Sequence, residues 1–418
     1  MAKTIVIIGS LDTKGDQIQF LKDRIHARGH RALVMDVSMG SSSKFEGDIT
    51  PREIASFAGK DITEITGSDD RLFKTDAMTA GARQKMLDLL AKDEIDGAVA
   101  LGGATITLLG SRAMQVLPFG IPKVIATSAA MPVYISQWFE AMDILVMQII
   151  MEFTGMNELL THALGQVAGV ISGIVEESRH PSSLRLPYPA IAITEIGFSP
   201  QCTRQVESLL EANQWNVFTF HAQGISDRAM DRLISQGFFN GVIDIVPAGV
   251  IEEMFGGNRA AGRERLDAVC ESGIPMVLAP CCINLTGCGA TRTNREKYAS
   301  RPHIKIDELR AMTRFDDEEL TAAAQIYAEK LNRAKGPVRF VVPLKGWSAI
   351  DREGTVLYNP EKDRIFVEKL REKLNPSIPI VEVPSNLEDM EFAQALVDNF
   401  AEIFNEQTTG VRGRKSAS

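Results

Sequence analysis

The stretch TIVIIGSLDTKGDQIQFL, Thr4 to Leu21, decides the fold. A β-branched apolar run ends at Gly9, a polar loop of Ser10-Leu11-Asp12-Thr13-Lys14-Gly15 follows, and a helical pattern starts near Asp16. This is a strand–loop–helix unit. Its loop offers hydroxyls, a lysine and the first-turn amides of a helix. Such amides carry partial positive charge, so the loop reads as an anion site.

Strands and helices alternate outward from that unit. Strands are expected at Thr4–Gly9, Ala32–Val37, Gly97–Leu101 and Lys123–Thr127, with helices at Asp16–Arg28, Pro51–Ala58, Ala77–Lys92 and Thr105–Leu117. The strands are continuous apolar runs, the mark of parallel strands covered on both faces. A doubly wound α/β sheet follows. Glu176 to Pro189 is rich in Pro and Ser and reads as a linker. After it the alternation restarts, with strands at Ala190–Thr194, Asn216–Phe220, Gly241–Val246, Pro275–Ala279, Val338–Leu344 and Ile378–Val383. The expected division is an N-terminal α/β domain over 1–180, a C-terminal one over 190–405 and a disordered tail over 406–418. In the helix Asp316–Lys335, acids crowd the first turn and bases the last, as the macrodipole favours.

Composition narrows the function classes. The 418 residues carry a formal net charge of -9, which disfavours nucleic acid as a partner. No apolar run reads as a membrane span; Ile144–Met151 is short and is expected to be buried. The start MAKTIVIIGS has no signal-peptide shape, and five cysteines form no disulfide framework, so a reduced, cytoplasmic protein is expected.

Candidate site residues cluster after strands. In the first loop, Gly9, Asp12, Thr13 and Lys14 read either as phosphate contacts or as a plain polar turn. After the strand Gly97–Leu101, Gly102-Gly103-Ala104-Thr105 let backbone approach a ligand, or simply turn; Thr127 and Ser128 add hydroxyls after the fourth strand. Asp36 ends the second strand, where an acid meets a ribose in some nucleotide folds, or merely opens a polar loop. In the second half, His221 ends a strand and reads as an acid/base or as a structural histidine. Lys345 and Ser348 follow another strand, as a Ser–Lys nucleophile or, more simply, an anion contact by Lys345. Cys281, Cys282 and Cys288, with His303, lack the CxxC spacing of a zinc site, so burial or cleft lining is the better reading and no metal is assigned. Nothing in the sequence separates Glu195, Glu252 and Glu253 from ordinary surface acids.

Three segments together resemble the Tm-one-like family of bacterial and plant proteins: GSLDTKGDQ, FHAQGISDRAM, and LNRAKGPVRFVVPLKGWSAIDREG followed by LYNPEKD. The resemblance covers nearly the whole chain. It implies two Rossmann-like domains facing an interdomain cleft, a homodimer and, as in the plant member, ATP bound by the N-terminal domain; magnesium is expected beside the ATP. Carried over, it makes Asp12, Thr13 and Lys14 nucleotide contacts. The chain departs from the family at Thr105 and Ile106, where glycines are usual. Two functions are expected from this. One is an enzyme acting on a small anionic metabolite, with His221 as acid/base and Lys345 orienting substrate; phosphoryl transfer, ligation and carbon–carbon cleavage are not distinguished. The other is a non-catalytic nucleotide- or metabolite-binding protein acting through a partner protein.

Overall fold

The computed structural model describes residues 2–40, 43–131, 135–178, 184–292 and 295–415. They form two compact units, divided at Leu184/Arg185 within the Pro/Ser-rich linker. Residues 179–183 of that linker lie outside the described residues.

The N-terminal unit contains β1 (Thr4–Gly9), β2 (Arg31–Asp36), β3 (Gly97–Gly102), β4 (Lys123–Thr127) and β5 (Leu145–Gln148). They make one parallel sheet in the order β2-β1-β3-β4-β5. Helices cover both faces. Ile5 and Ile7 of β1 pack with the helices Leu11–His26 and Glu158–Glu177, whereas Val6 and Ile8 pack with Arg71–Ala91 and Ala104–Met114. Burial on both faces is why these strands read as unbroken apolar runs. At the edge, β5 is half-exposed, so its residues are not the buried element expected of Ile144–Met151.

The C-terminal unit contains β6 (Ala190–Glu195), β7 (Asn216–His221), β8 (Gly241–Asp244), β9 (Met276–Leu278), β10 (Leu285–Gly287), β11 (His303–Lys305), β12 (Ala311–Arg314), β13 (Val338–Pro343) and β14 (Ile380–Val383). Six of them form a parallel sheet, β14-β13-β9-β8-β6-β7. The other three form a small antiparallel sheet, β10-β12-β11, inserted after β9. Both parallel sheets therefore begin with the same order, second–first–third–fourth strand. The order reverses between β1 and β3 in one unit and between β6 and β8 in the other. Crevices for ligands open outside the carboxyl ends of strands at such reversals.

Several expectations need correction. The first helix starts at Leu11, not near Asp16. Ser10 carbonyl oxygen accepts the amides of Thr13 and Lys14, closing a helical turn inside the expected loop. The turn kinks at Lys14 (φ -130°, ψ 23°) before continuing. The three-stranded sheet was unforeseen, since its strands are only three or four residues long. The last helix, Met390–Lys415, runs into the expected tail, and residues 416–418 lie outside the described residues. The helix Glu158–Glu177 is long and apolar enough to cross a membrane by length and composition. It buries Leu160, Leu164, Val167, Ala168, Ile171 and Val175 in the core of the sheet, as a core helix does.

The acid-rich start of the helix Asp317–Leu331 is a capping box. The Asp316 carboxylate accepts the Glu319 amide, and the Glu319 carboxylate accepts the Asp316 amide.

Candidate functional site

The N-terminal sheet ends in two loops flanking its reversal point. In the first, after β1, the amides are already used. Leu11 N–H donates to Asp36 Oδ1 (3.1 Å) and Asp12 N–H to Ser38 Oγ (3.1 Å). The Thr13 and Lys14 amides donate to Ser10. The Lys14 ammonium donates to the Phe153 carbonyl oxygen (3.1 Å) and lies 5.9 Å from the Phe153 ring centre. Thr13 is exposed. An anion arriving here competes with these partners, apart from the remaining protons of Lys14. Gly9 is explained by packing: a Cβ there would lie 2.5 Å from Ile18 Cδ1.

The second loop, after β3, is different. Gly103 is the N-cap of the eleven-residue helix Ala104–Met114, and no side chain caps it. The amides of Ala104, Thr105 and Ile106 precede the first intrahelical bond, Thr107 N–H to Gly103 O, and face no capping group. Gly102 is a glycine for packing, since a Cβ there would lie 2.7 Å from Ile106 Cβ. Gly103 has no such reason: a Cβ there would meet only Ser128 Oγ at 3.8 Å. Ile106, which departs from the family's usual glycine, turns into the core at 6% exposure and leaves the outer side of the loop clear. Thr105 is exposed beside the open amides.

Thr127 holds this loop in shape. The Thr107 hydroxyl is shared between Gly103 O (2.9 Å) and Thr127 Oγ1 (2.6 Å). Thr127 Oγ1 in turn accepts the Ala129 amide (2.9 Å) and is fully buried. It positions the loop. Ser128 is half-buried, with its hydroxyl 3.4 Å from Glu152 Oε2.

In the C-terminal unit, the last residues of β6 and β7 pair in register, Glu195 with His221. Their side chains meet: His221 Nδ1 donates to Glu195 Oε1 at 2.8 Å, and both remain open to solvent. A carboxylate that fixes an imidazole orients its other nitrogen for proton transfer. The sequence pointed to His221 but not to Glu195. The signal was available in the strand register, which the sequence does not display.

Lys345 and Ser348 are not a catalytic pair. Lys345 is exposed, Ser348 is fully buried with its hydroxyl unpaired, and no hydrogen bond joins them. Among the described residues no cluster of three or more His, Cys, Asp or Glu side chains could hold a metal. Cys281 and Cys282 are buried with sulfurs 3.8 Å apart, and Cys288 is half-buried. The Cys281 thiol and the Arg259 guanidinium pull the Cys282 thiol below its usual range.

The sequence missed the buried charge at the ends of the C-terminal strands. Asp244 on β8 accepts from Arg265 (2.5 Å) and Thr194 (2.7 Å); Arg265 also binds Asp231 (3.1 Å). Asp227 lies 3.9 Å from Arg265 with neither carboxylate oxygen hydrogen-bonded, and burial raises its pKa. Asp231 is pushed up to about 6 by burial, against the pull of Arg265. Glu252 is no surface acid: it is 1% exposed and pairs with Arg259 at 2.9 Å. Farther along, Asp351 and Asp363 share Arg314 and Asn284, and burial with the Asp351 charge pushes Asp363 up.

Two family profiles cover the chain, the N-terminal domain of an uncharacterised protein family (UPF0261) over residues 3–180 and its C-terminal domain over 188–404. The chain belongs to the UPF0261 family. A UPF0261 protein of Clostridium tetani is 33% identical over 95% of this chain and 98% of its own length. One from Rhizobium meliloti is 28% identical over 96% of this chain and 100% of its own. The tomato ToMV resistance protein Tm-1(GCR237) is 29% identical over 96% of this chain, which matches 55% of that longer protein. The expected Tm-one-like resemblance and the UPF0261 assignment are therefore the same family. Among solved structures, a UDP-GlcNAc 2-epimerase of Methanocaldococcus jannaschii aligns over 88% of this chain and 99% of its own, at 10% identity and a TM-score of 0.20, too slight a likeness to argue from.

Proposed function

We propose that this UPF0261 protein binds a nucleoside triphosphate, ATP with magnesium, at the carboxyl ends of β1, β3 and β4, and acts enzymatically on a small anionic metabolite. One observation carries the nucleotide reading. At the reversal point of the N-terminal sheet, the helix Ala104–Met114 has uncapped amides, and the glycine before them is not required by packing. Uncapped amides at a helix start attract phosphate through the helix dipole. Exposed Thr105, half-buried Ser128 and the partly engaged Lys14 surround that polarity with donors. Loss of the family's usual glycines does not close the seat, because Ile106 packs inward.

The enzymatic part rests on His221 and Glu195. The pair gives an oriented acid/base at the ends of two adjacent strands. The non-catalytic alternative is favoured by one observation: Ser348 is sealed and unpaired with Lys345, so these two residues form no nucleophile–base pair.

Melting the protein with ATP and magnesium, while assaying phosphate release, tests both. A ligand at about 100 times its Kd adds about 2.7 kcal/mol of stability. A shift with turnover supports the enzyme, and a shift without turnover favours the binding protein. No shift removes the nucleotide reading.

A further inference from the structure

The loop after β9, Ala279-Pro280-Cys281-Cys282-Ile283, carries two adjacent cysteines at the carboxyl end of the C-terminal parallel sheet. Along a strand, neighbouring side chains point to opposite faces. Here the chain turns instead. The Ile283 amide donates to the Pro280 carbonyl oxygen (3.0 Å), and Cys282 takes a left-handed backbone at φ 60°. A residue other than glycine is uncommon in that region. The turn brings the two sulfurs to 3.8 Å, with the Cys281 thiol donating to Cys282 Sγ. Both residues are fully buried.

Burial alone would keep both thiols protonated. The surroundings of Cys282 work the other way. Glu252 sits between two guanidiniums, Arg259 at 2.9 Å and Arg292 at 3.8 Å. One buried carboxylate thus faces two cations, and Arg259 Nη1 is buried without a hydrogen-bond acceptor. A negative sulfur on Cys282 offsets that excess of positive charge. The Cys281 hydrogen bond and the Arg259 cation accordingly hold the Cys282 thiol low. Cys281, Cys202, Cys270 and Cys288 are all pushed up, first by burial. Cys282 is therefore a nucleophilic sulfur with a protonated thiol set against it, the arrangement of an attacking and a resolving cysteine.

We propose that Cys281 and Cys282 are an oxidation site, which a small peroxide closes to a disulfide between neighbouring residues. The Cys282 thiolate attacks one oxygen of hydrogen peroxide and the O–O bond breaks, leaving a sulfenic acid on Cys282. The Cys281 sulfur then attacks the Cys282 sulfur, and the S–O bond breaks as the S–S bond forms. The two cysteines give up two electrons and two protons, and the peroxide takes them up as two waters. Neighbouring Cα atoms lie about 3.8 Å apart, short of the roughly 4.4–6.8 Å usual across a disulfide, so this bridge is strained and easily reduced. That makes it a reversible mark and not a structural staple. Sealed sulfurs also favour an oxidant little larger than water over a bulky one.

Treating the reduced full chain with hydrogen peroxide, quenching in acid and mapping its cysteines by mass spectrometry tests this. The peptide holding Cys281 and Cys282 should become lighter by two hydrogen atoms, ahead of any change at Cys202, Cys270 or the half-buried Cys288. Dithiothreitol should restore it. Cys281→Ser should stop at the sulfenic acid, which dimedone traps on Cys282. Cys282→Ser should consume peroxide about tenfold or more slowly than wild type, since it lacks the thiolate. A wild-type pair still reduced after the other cysteines have oxidised overturns the proposal, as does a product that dithiothreitol cannot reverse. Peroxide consumption by Cys282→Ser at the wild-type rate overturns it too. Should either variant fail to fold, the order of oxidation in the wild type decides alone.

Discussion

The two parallel sheets share a strand order and treat their carboxyl ends in opposite ways. At the ends of β1 and β3, the N-terminal unit keeps a helix start uncapped and a glycine that packing does not demand. The corresponding strand ends of the C-terminal unit are filled with the chain's own charge, Asp244 with Arg265 at their centre. One reversal point keeps uncapped amides, and the other is closed by an internal ion network. On the proposed reading, the same topology serves recognition in one unit and rigidity in the other. On the same reading, any chemistry in the second unit falls to the solvent-open pair of Glu195 and His221.

Removing the closure should have the largest effect. Arg265→Leu leaves Asp231 and Asp244 buried without their cation, and breaking such a pair costs about 3–5 kcal/mol. Denaturant unfolding should show a loss of that size; a change under 1 kcal/mol would mean the network does not hold the unit together. Filling the open site is the converse test. Gly103→Val should leave the melting temperature of the free protein nearly unchanged, because its Cβ has room, and abolish the ATP-induced shift.

Acid chemistry sharpens the contrast next. Asp363 is raised to about 7 from an ordinary 3.8, first by burial and then by the Asp351 charge. The folded chain therefore holds this proton more tightly than the unfolded chain. Its contribution to stability is greatest at low pH and declines as pH rises from about 4 to about 7. Asp363→Asn should melt higher than wild type at pH 8, with the gap narrowing toward pH 4. A gap independent of pH would show that the residue does not titrate in this window.

The smallest structural effects are expected at the two exposed sites. His221→Ala and Glu195→Gln should leave stability within about 0.5 kcal/mol, as for most surface changes. Any metabolite turnover should fall about 100-fold or more in the histidine variant, and less in the glutamate one, which only orients it. Unchanged turnover in His221→Ala removes its acid/base role. Lys14→Ala should weaken the ATP shift without abolishing it, since Phe153 already takes one of the Lys14 protons.

The fold was legible because strands buried on two faces leave continuous apolar runs, as in Ile5–Ile8 and Ala190–Thr194. Glycine loops after β3 were legible for the same reason: they stand where a buried strand must turn. The start of the first helix was misplaced because polarity alone does not show where amides go, and Asp36, Ser38 and Ser10 take them. Glu195 was illegible, since its meaning lies in a cross-strand register 26 residues away. The buried acids were hidden for a related reason. Composition counts Asp227, Asp244 and Glu252 as surface residues, and only the placement of Arg265 and Arg259 makes their burial tolerable.

The central claim is that the open start of the helix Ala104–Met114 receives phosphate. Recording backbone amide resonances of the isotope-labelled protein while adding ATP and magnesium tests it at the atoms concerned. The amides of Ala104, Thr105 and Ile106 should move most. Shifts confined to the C-terminal unit, or none at saturating nucleotide, would contradict it.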